Sequence, residues 1–121
     1  MKKQQEIYSP KEDSYLLAEQ IIKHFQILTN EQLNKIKVLD IGSGSGMQAQ
    51  TCLDFIDRKN ILCADINPKA IKHLKSNNFK AKQSDLFSNI NKKQKFDLIT
   101  FNPPYLPTSE YDDQWDTTAG P

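Results

Sequence analysis

The chain has 121 residues, which is enough for one domain and too few for two. Its 16 basic and 15 acidic residues give a formal net charge of +1, so overall charge excludes long-range attraction of a polyanion, and nucleic acid would need a local patch. No stretch approaches the ~18 apolar residues of a membrane span and residues 1–6 are polar, so we expect a cytoplasmic protein without a membrane segment.

The first predicted element is an amphipathic helix near the N-terminus. Ser9 and Glu12 have the spacing of a capping box, and a start at Asp13 fits nearly as well. Apolar residues then recur at every fourth position and predict a buried face: Leu17, Ile21 and Phe25. A polar stretch at 29–31 follows as a connection to the next element.

Short apolar runs alternate with helical segments along the rest of the chain. Strands are predicted at 37–41, 60–65, 79–84 and 96–101, and the lysine-rich residues 91–95 form an exposed connection. Helices are predicted at 47–56 and from Asn67, which caps Pro68, with Ile71 and Leu74 on the buried edge and 77–78 as the end. This alternation predicts a parallel α/β sheet with helices on both faces.

Cysteine and histidine residues give no sign of a metal site. Cys52 and Cys63 stand in apolar runs and form no Cys-x-x-Cys pair, so we expect both to be buried and reduced. His24 and His73 are isolated in helical segments, which is typical of surface or packing histidines. We therefore expect no bound metal.

A glycine-rich loop follows the first predicted strand. Gly42, Gly44 and Gly46 allow a tight turn and a close approach of the backbone to a ligand. The Gly-x-Gly-x-Gly spacing differs from the Gly-x-Gly-x-x-Gly of dinucleotide-binding proteins, which disfavours a nicotinamide cofactor. A purely structural turn stays open as an alternative.

Two acidic residues end the next strands. Asp65 has the position of a carboxylate that accepts hydrogen bonds from both hydroxyl groups of a ribose. Asp85 could accept an adenine amino group, with Leu86 beside the ring. Either residue could instead be a solvated aspartate at a strand end.

The most specific motif is the segment Asn102, Pro103, Pro104 and Tyr105, directly after the fourth predicted strand. Two prolines make a rigid loop at the carboxyl edge of the sheet, where open α/β sheets bind ligands. The Asn102 amide oxygen and the Pro103 carbonyl can accept the two hydrogens of a planar amino group, and Tyr105 offers a ring against it. This chemistry favours orientation of an amide or aromatic amine for group transfer.

Together these motifs resemble class I methyltransferases, which implies a Rossmann-like sheet of order 3-2-1-4 and S-adenosylmethionine as cofactor. Residues 8–17, Tyr-Ser-Pro-Lys-Glu-Asp-Ser-Tyr-Leu-Leu, resemble the N-terminal signature of HemK-related protein-glutamine methyltransferases of archaea and eukaryotes, which act on class I release factors. The resemblance implies that residues 102–105 hold the glutamine amide and that Ser14, where the family often has threonine, contacts the cofactor. The remaining implied cofactor residues are Asp40, Gly42, Gly44, Gly46, Asp65, Ile66, Asp85, Leu86 and Asn102.

The resemblance also implies a longer protein. The family continues to a seven-stranded sheet, so we interpret residues 1–121 as a single and incomplete cofactor-binding domain. A second chain that supplies the missing part, or a small zinc-binding activator subunit, is then an expected partner. Methylation of adenine N6 in DNA or RNA, and a cofactor-binding subunit without activity of its own, stay open as alternatives.

Overall fold

The structure is a computed structural model that describes residues 12–101, so the predicted helix start at Ser9 and the segment from Asn102 to Tyr105 lie outside the described residues. The helices are α1 (Glu12–Gln26), α2 (Asn30–Lys35), α3 (Met47–Leu53) and α4 (Pro68–Ser76). The strands are β1 (Val38–Ile41), β2 (Ile61–Asp65), β3 (Lys80–Gln83) and β4 (Leu98–Phe101).

The four strands form one parallel sheet in the order β3-β2-β1-β4, which confirms the predicted sheet and its order. β1 lies between β2 and β4, and Val38 pairs with Ile61 on one side and with Leu98 on the other. All four residues of β1 are buried, as expected for an interior parallel strand, and Asp40 is the one charged residue among them.

The two faces of the sheet pack against different material. α1, α3 and α4 contribute buried side chains to one cluster, the helix-side cluster, which includes Phe25, Cys52 and Leu74. The other face carries the loop-side cluster of Leu39, Ile41, Leu62 and Ala64, against which Ile90 and Phe96 pack. Within residues 12–101 the expectation of helices on both faces is therefore wrong, because a connection rather than a helix covers the second face.

α1 has the predicted apolar face. Ile21 and Phe25 are buried, and Leu17 packs against the same cluster while partly exposed. Asp13 is already inside the helix, so the alternative start at that residue is wrong. Acidic residues in the first turn and basic residues in the last turn interact favourably with the helix dipole.

α2 differs from the prediction, since the polar stretch at 29–31 that the sequence indicates as a connection caps and begins a helix. Thr29 caps this helix: its Oγ1 accepts from the Gln32 backbone N–H at 3.1 Å, and its own N–H donates to Gln32 Oε1 at 2.9 Å. The signal was a Thr-x-x-Gln capping box in the sequence.

α4 begins and ends as predicted. The Asn67 side chain accepts from the Lys69 N–H at 2.9 Å, and Ile71 and Leu74 are buried. The helix ends at Ser76, and Asn78 then adopts a left-handed conformation with φ of 69°. Asparagine tolerates this conformation better than most residues.

Several boundaries differ from the prediction. α3 ends at Leu53 rather than 56, and β2 begins one residue late because Asn60 belongs to a 3-10 turn. β4 begins at Leu98 rather than 96, since Phe96 packs into the loop-side cluster. No helix among residues 12–101 is long and apolar enough to cross a membrane.

Candidate functional site

The candidate site is the carboxyl edge of the sheet, where several predicted residues come together. β1 ends at Ile41 and β4 at Phe101, and these two residues are register partners. Asp65 at the end of β2 pairs with Gln83 at the end of β3. Because the strands are parallel, the segments that follow them leave the sheet at one edge, which is the ligand-binding edge of open α/β sheets.

Residues 42–46, the glycine turn, connect β1 to α3. Gly42, Gly44 and Gly46 have φ values of 69°, 54° and 90°, in the left-handed region that residues with a Cβ rarely adopt. The N–H groups of Gly42 and Ser43 both donate to the Ala64 carbonyl, at 2.8 and 3.1 Å. The turn is therefore attached to the end of β2, and the sequence prediction of a tight glycine turn is confirmed.

Gly46 has a steric requirement in addition to its φ. A Cβ built on this residue would meet Leu74 Cδ2 of α4 at 3.0 Å, which is closer than ordinary van der Waals contact. Its carbonyl also accepts from the Gln50 N–H at 2.8 Å and starts α3. Glycine thus allows α4 to pack directly against the turn.

A second contact from α4 was not foreseen from the sequence. His73 Nε2 lies 3.1 Å from the Ser45 carbonyl and is hydrogen-bonded to it. The ring is half-buried, so this histidine holds the glycine turn rather than standing free on a surface. Among residues 12–101 no cluster of three histidine, cysteine or acidic side chains could hold a metal ion.

Asp65 joins the glycine turn to the start of α4. Its Oδ2 accepts from the Gly44 N–H at 2.8 Å, and its Oδ1 accepts from the Asn67 N–H at 2.9 Å. A carboxylate oxygen has two lone pairs, so each oxygen can accept a further hydrogen bond. The half-buried carboxylate is thus oriented by two backbone amides and can still receive a diol.

Asp40 has a different environment from Asp65. Its side chain is 1 % exposed, and it accepts from Ser43 Oγ at 2.7 Å and from Thr100 Oγ1 at 2.6 Å. Burial raises the pKa of Asp40 from 3.8 to about 6, although the two hydroxyl groups act to lower it and Asp65 raises it further. Asp40 supports the glycine turn from beneath, and its predicted contact with a cofactor stays a prediction.

Both cysteines lie close to this carboxylate. Cys52 on α3 and Cys63 on β2 are buried and free, as predicted. Burial, and then the charge of Asp40, raise the pKa of each thiol to about 12. Since the thiolate is the reactive form, neither cysteine is suited to be a nucleophile.

Residues 84–88, the leucine turn, follow β3. Leu86 has a φ of 56°, an uncommon conformation for a residue with a branched side chain. Ser84 Oγ donates to the Leu86 carbonyl at 2.7 Å, and Ser88 Oγ accepts from the Asp85 N–H at 3.1 Å. Side-chain hydroxyl groups therefore hold a backbone conformation that costs about 1–2 kcal/mol for an ordinary residue.

Exposed apolar side chains accompany the polar groups of this edge. Ile66, directly after β2, is 62 % exposed, and Leu86 and Phe101 are about half exposed. Asp85 is exposed next to Leu86. Apolar surface with a few carboxylates nearby is suited to a planar ring that carries polar substituents.

Ser14 on α1 is connected to α3. It is 2 % exposed, and its carbonyl accepts from Gln48 Nε2 at 2.9 Å. Gln48 is two residues beyond Gly46, so this bond attaches α1 to the helix that the glycine turn begins. Gln48 Oε1 is buried without a hydrogen-bond partner among residues 12–101.

These features define an α/β domain of the Rossmann-like class with a candidate ligand site at the carboxyl edge. The family model of the methyltransferase small domain matches residues 13–116, and the chain belongs to that family. Over 111 residues the chain is 42 % identical to a protein of Methanocaldococcus jannaschii that bears the provisional name of a protein N5-glutamine methyltransferase. The match covers 87 % of this chain and 50 % of that protein. It is 34 % identical to the release factor glutamine methyltransferase of Fusobacterium nucleatum, over 85 % of this chain and 30 % of that protein.

A solved structure supports the same fold. The 16S rRNA N2 G1207 methyltransferase of T. thermophilus, in complex with AdoMet and guanosine, superposes with a TM-score of 0.63 at 23 % identity. The superposition covers 82 % of this chain and 27 % of that protein. The chain thus spans about half the length, or less, of the relatives that it matches.

Proposed function

We propose that this chain is the S-adenosylmethionine-binding part of an N-methyltransferase that modifies a glutamine side-chain amide in a translation release factor. The observation that carries the proposal is the pairing of Ile41 with Phe101. Gly42 and Asn102 are the next residues in the sequence, so the glycine turn and the Asn-Pro-Pro-Tyr segment start from neighbouring positions at one edge. A cofactor turn and an acceptor motif that begin side by side are suited to group transfer between two bound molecules.

The described residues fit the proposed cofactor. Asp65 can accept the hydroxyl groups of a ribose, and Asp85 with the exposed Leu86 and Ile66 can receive an adenine ring and its amino group. The glycines leave the backbone of the turn accessible to the methionine part. When bound, this cofactor supplies a methyl group on a sulfonium.

The chain's own contribution is orientation. Asn102 and Pro103 provide two acceptors for the two hydrogens of the acceptor amide, and Tyr105 provides a ring beside the amide plane. Hydrogen bonds to both hydrogens fix the nitrogen and favour the electron distribution in which it attacks. Neither a metal ion nor a covalent bond to the protein is needed for this role.

Release factor as the acceptor is supported by the relatives. The Fusobacterium nucleatum protein is named for it, and the Methanocaldococcus jannaschii protein is named for glutamine N5. A second chain or a small zinc-binding subunit, the single-domain interpretation of residues 1–121 and the contact of Ser14 with cofactor stay predictions.

The test is methyl transfer to a purified release factor, with the modified residue found by mass spectrometry. Asn102→Ala is expected to keep cofactor affinity within about threefold and to lower turnover by at least ~100-fold, because one orienting acceptor is lost. Asn91→Ala is the matched control, since Asn91 lies in the exposed connection and caps the Lys93 N–H at 2.9 Å. Turnover of Asn102→Ala equal to that of the control would contradict the mechanism.

The same assay separates the alternatives. Methyl transfer to adenine in an oligonucleotide, without transfer to release factor, would favour the nucleic-acid alternative. Calorimetric binding of S-adenosylmethionine without transfer to either acceptor would favour a cofactor-binding subunit.

A further inference from the structure

A single buried carboxylate joins the glycine turn to β4, the strand that precedes the Asn-Pro-Pro-Tyr segment in the sequence. Asp40 on β1 and Thr100 on β4 are register partners, so their side chains lie on the same face of the sheet. Thr100 Oγ1 donates to Asp40 Oδ1 at 2.6 Å, and Ser43 Oγ donates to Asp40 Oδ2 at 2.7 Å. All three side chains are buried, and Thr100 is only 3 % exposed.

The two hydroxyl groups belong to different parts of the site. Ser43 is the second residue of the glycine turn, while Thr100 stands two residues before Asn102. One oxygen of Asp40 therefore holds the glycine turn, and the other holds the end of β4, after which the Asn-Pro-Pro-Tyr segment begins in the sequence. A displacement of the glycine turn or of the end of β4 would lengthen a short hydrogen bond to a buried acceptor, which carries a larger energetic penalty than the same change at a surface.

This arrangement is not explained by stability alone. A buried carboxylate whose partners are neutral hydroxyl groups is unfavourable compared with apolar side chains of similar volume. Burial raises the pKa of Asp40 to about 6, which reflects that penalty. The other titratable groups with a resolved electrostatic effect at this carboxylate are Asp65 at the end of β2, Cys63 on β2 and Cys52 on α3.

We propose that Thr100 and Asp40 are positioning residues, which set the acceptor-binding segment after β4 relative to the cofactor turn after β1. The inference deepens the proposed function and rests on it. Thr100 touches neither substrate nor cofactor in this scheme; it acts through Asp40 and through the backbone that leads to Asn102. Loss of its hydroxyl group therefore affects the transfer step more than cofactor binding.

Thr100→Val tests this role, because valine keeps the β-branched shape and removes only the donor. We expect turnover to fall roughly tenfold, by misplacement of the acceptor, while the Kd for S-adenosylhomocysteine changes by less than about threefold. Thr100→Ser restores the donor and should recover turnover to within about threefold of the unmodified chain. Thr51→Val is the matched control, since the Thr51 hydroxyl donates to the Met47 carbonyl within α3.

A second readout reports on the link itself. The hydroxyl group of Thr100 acts to lower the pKa of Asp40, so Thr100→Val should move the midpoint of the Asp40 carboxyl ¹³C titration to higher pH. Thr100→Ser should return the midpoint toward its original value, and Thr51→Val should leave it unchanged. A purely structural effect of the valine would not show this pattern of rescue.

Hydrogen exchange separates failure of this inference from failure of the proposed function. Thr100→Val should speed amide exchange at residues 100–102 and at Tyr105 by at least about threefold with cofactor bound, whereas Thr51→Val should not. Exchange or titration of Thr100→Val identical to that of the unmodified chain would overturn the inference, as would a titration shift without any loss of turnover. Absence of methyl transfer by the unmodified chain together with the exchange and titration effects would instead overturn the proposed function and leave the positioning link supported.

Discussion

The glycine turn and the leucine turn both adopt left-handed backbone conformations, but they hold them by different means. In the glycine turn the three residues with positive φ lack a Cβ, and buried or half-buried carboxylates, Asp40 and Asp65, attach the turn to the sheet. In the leucine turn the residue with positive φ is Leu86, and the hydroxyl group of Ser84 binds its carbonyl near the surface.

The difference shows two ways to hold a left-handed turn at the carboxyl edge of a sheet. The first turn has no steric strain, and its penalty is the burial of a charge beneath it. The second turn has little buried charge, and its penalty is the backbone conformation of a half-exposed leucine. We expect the first turn to depend on pH and the second to depend on side-chain shape.

Asp40→Asn breaks the support of the glycine turn and has the largest expected effect. The folded-state pKa of Asp40 is above its usual value, so this group stabilises the protein below about pH 4 and loses that contribution as pH rises through about 6. The loss is on the order of 3 kcal/mol for the shift from 3.8 to about 6. Asparagine cannot titrate, so urea unfolding at pH 4 to 8 should show a shallower loss of stability with rising pH in the variant.

The comparison that matters is the difference between the two pH profiles, because other acidic groups titrate in both proteins. Thr100→Val provides the contrasting variant, because it keeps the Asp40 carboxylate, which should still titrate but with a higher midpoint. Parallel profiles for the unmodified chain and Asp40→Asn would contradict the raised pKa of Asp40.

Asp65→Ala removes the second carboxylate of the glycine turn. The variant loses the acceptor of the Gly44 N–H and the proposed ribose contact, so S-adenosylhomocysteine should bind about 100-fold more weakly. Asp57→Ala is the matched control: Asp57 also accepts from a backbone amide, that of Lys59 at 3.0 Å, but it precedes β2 at the opposite edge. Calorimetric titration measures both, and equal affinities of the two variants would argue against a ribose site at Asp65.

Leu86→Gly tests the leucine turn and has the smallest expected effect. Glycine relieves the left-handed conformation, so stability should rise by at most about 1 kcal/mol, while loss of the apolar side chain should weaken cofactor binding by roughly three- to tenfold. Asn78, which follows α4, has a similar φ of 69° and supplies the control. Asn78→Gly should change stability in the same direction without affecting binding. Thermal unfolding and calorimetry give the two values, and unchanged binding in Leu86→Gly would remove Leu86 from the proposed adenine site.

Much of the fold could be predicted because its signals are local. Short apolar runs identified the four strands within two residues at each end, and Asn67 with Pro68 identified the start of α4. The Gly-x-Gly-x-Gly spacing after a strand predicted a tight turn, since these residues have φ values that other residues disfavour. The strand order came from the family resemblance rather than from these patterns.

The rest depends on contacts between distant residues. Thr100 is 60 positions from Asp40, and only the register of β1 with β4 brings its hydroxyl group to the carboxylate. The contacts of His73 with Ser45 and of Gln48 with Ser14 likewise need the packed helices. A left-handed Leu86 has no signal in the sequence, because leucine is an unfavourable residue for that conformation.

The alternation of side chains along β1 gives Asp40 a consequence for folding. Its neighbours Leu39 and Ile41 point to the loop-side cluster, whereas Asp40 points to the helices and to Thr100. A slip of β1 by one residue would turn the carboxylate into the apolar loop-side cluster, with no hydroxyl group from Ser43 or Thr100 available. The same charge that weakens the native state thus penalises a misaligned sheet more strongly, and it selects a single alignment of the central strand.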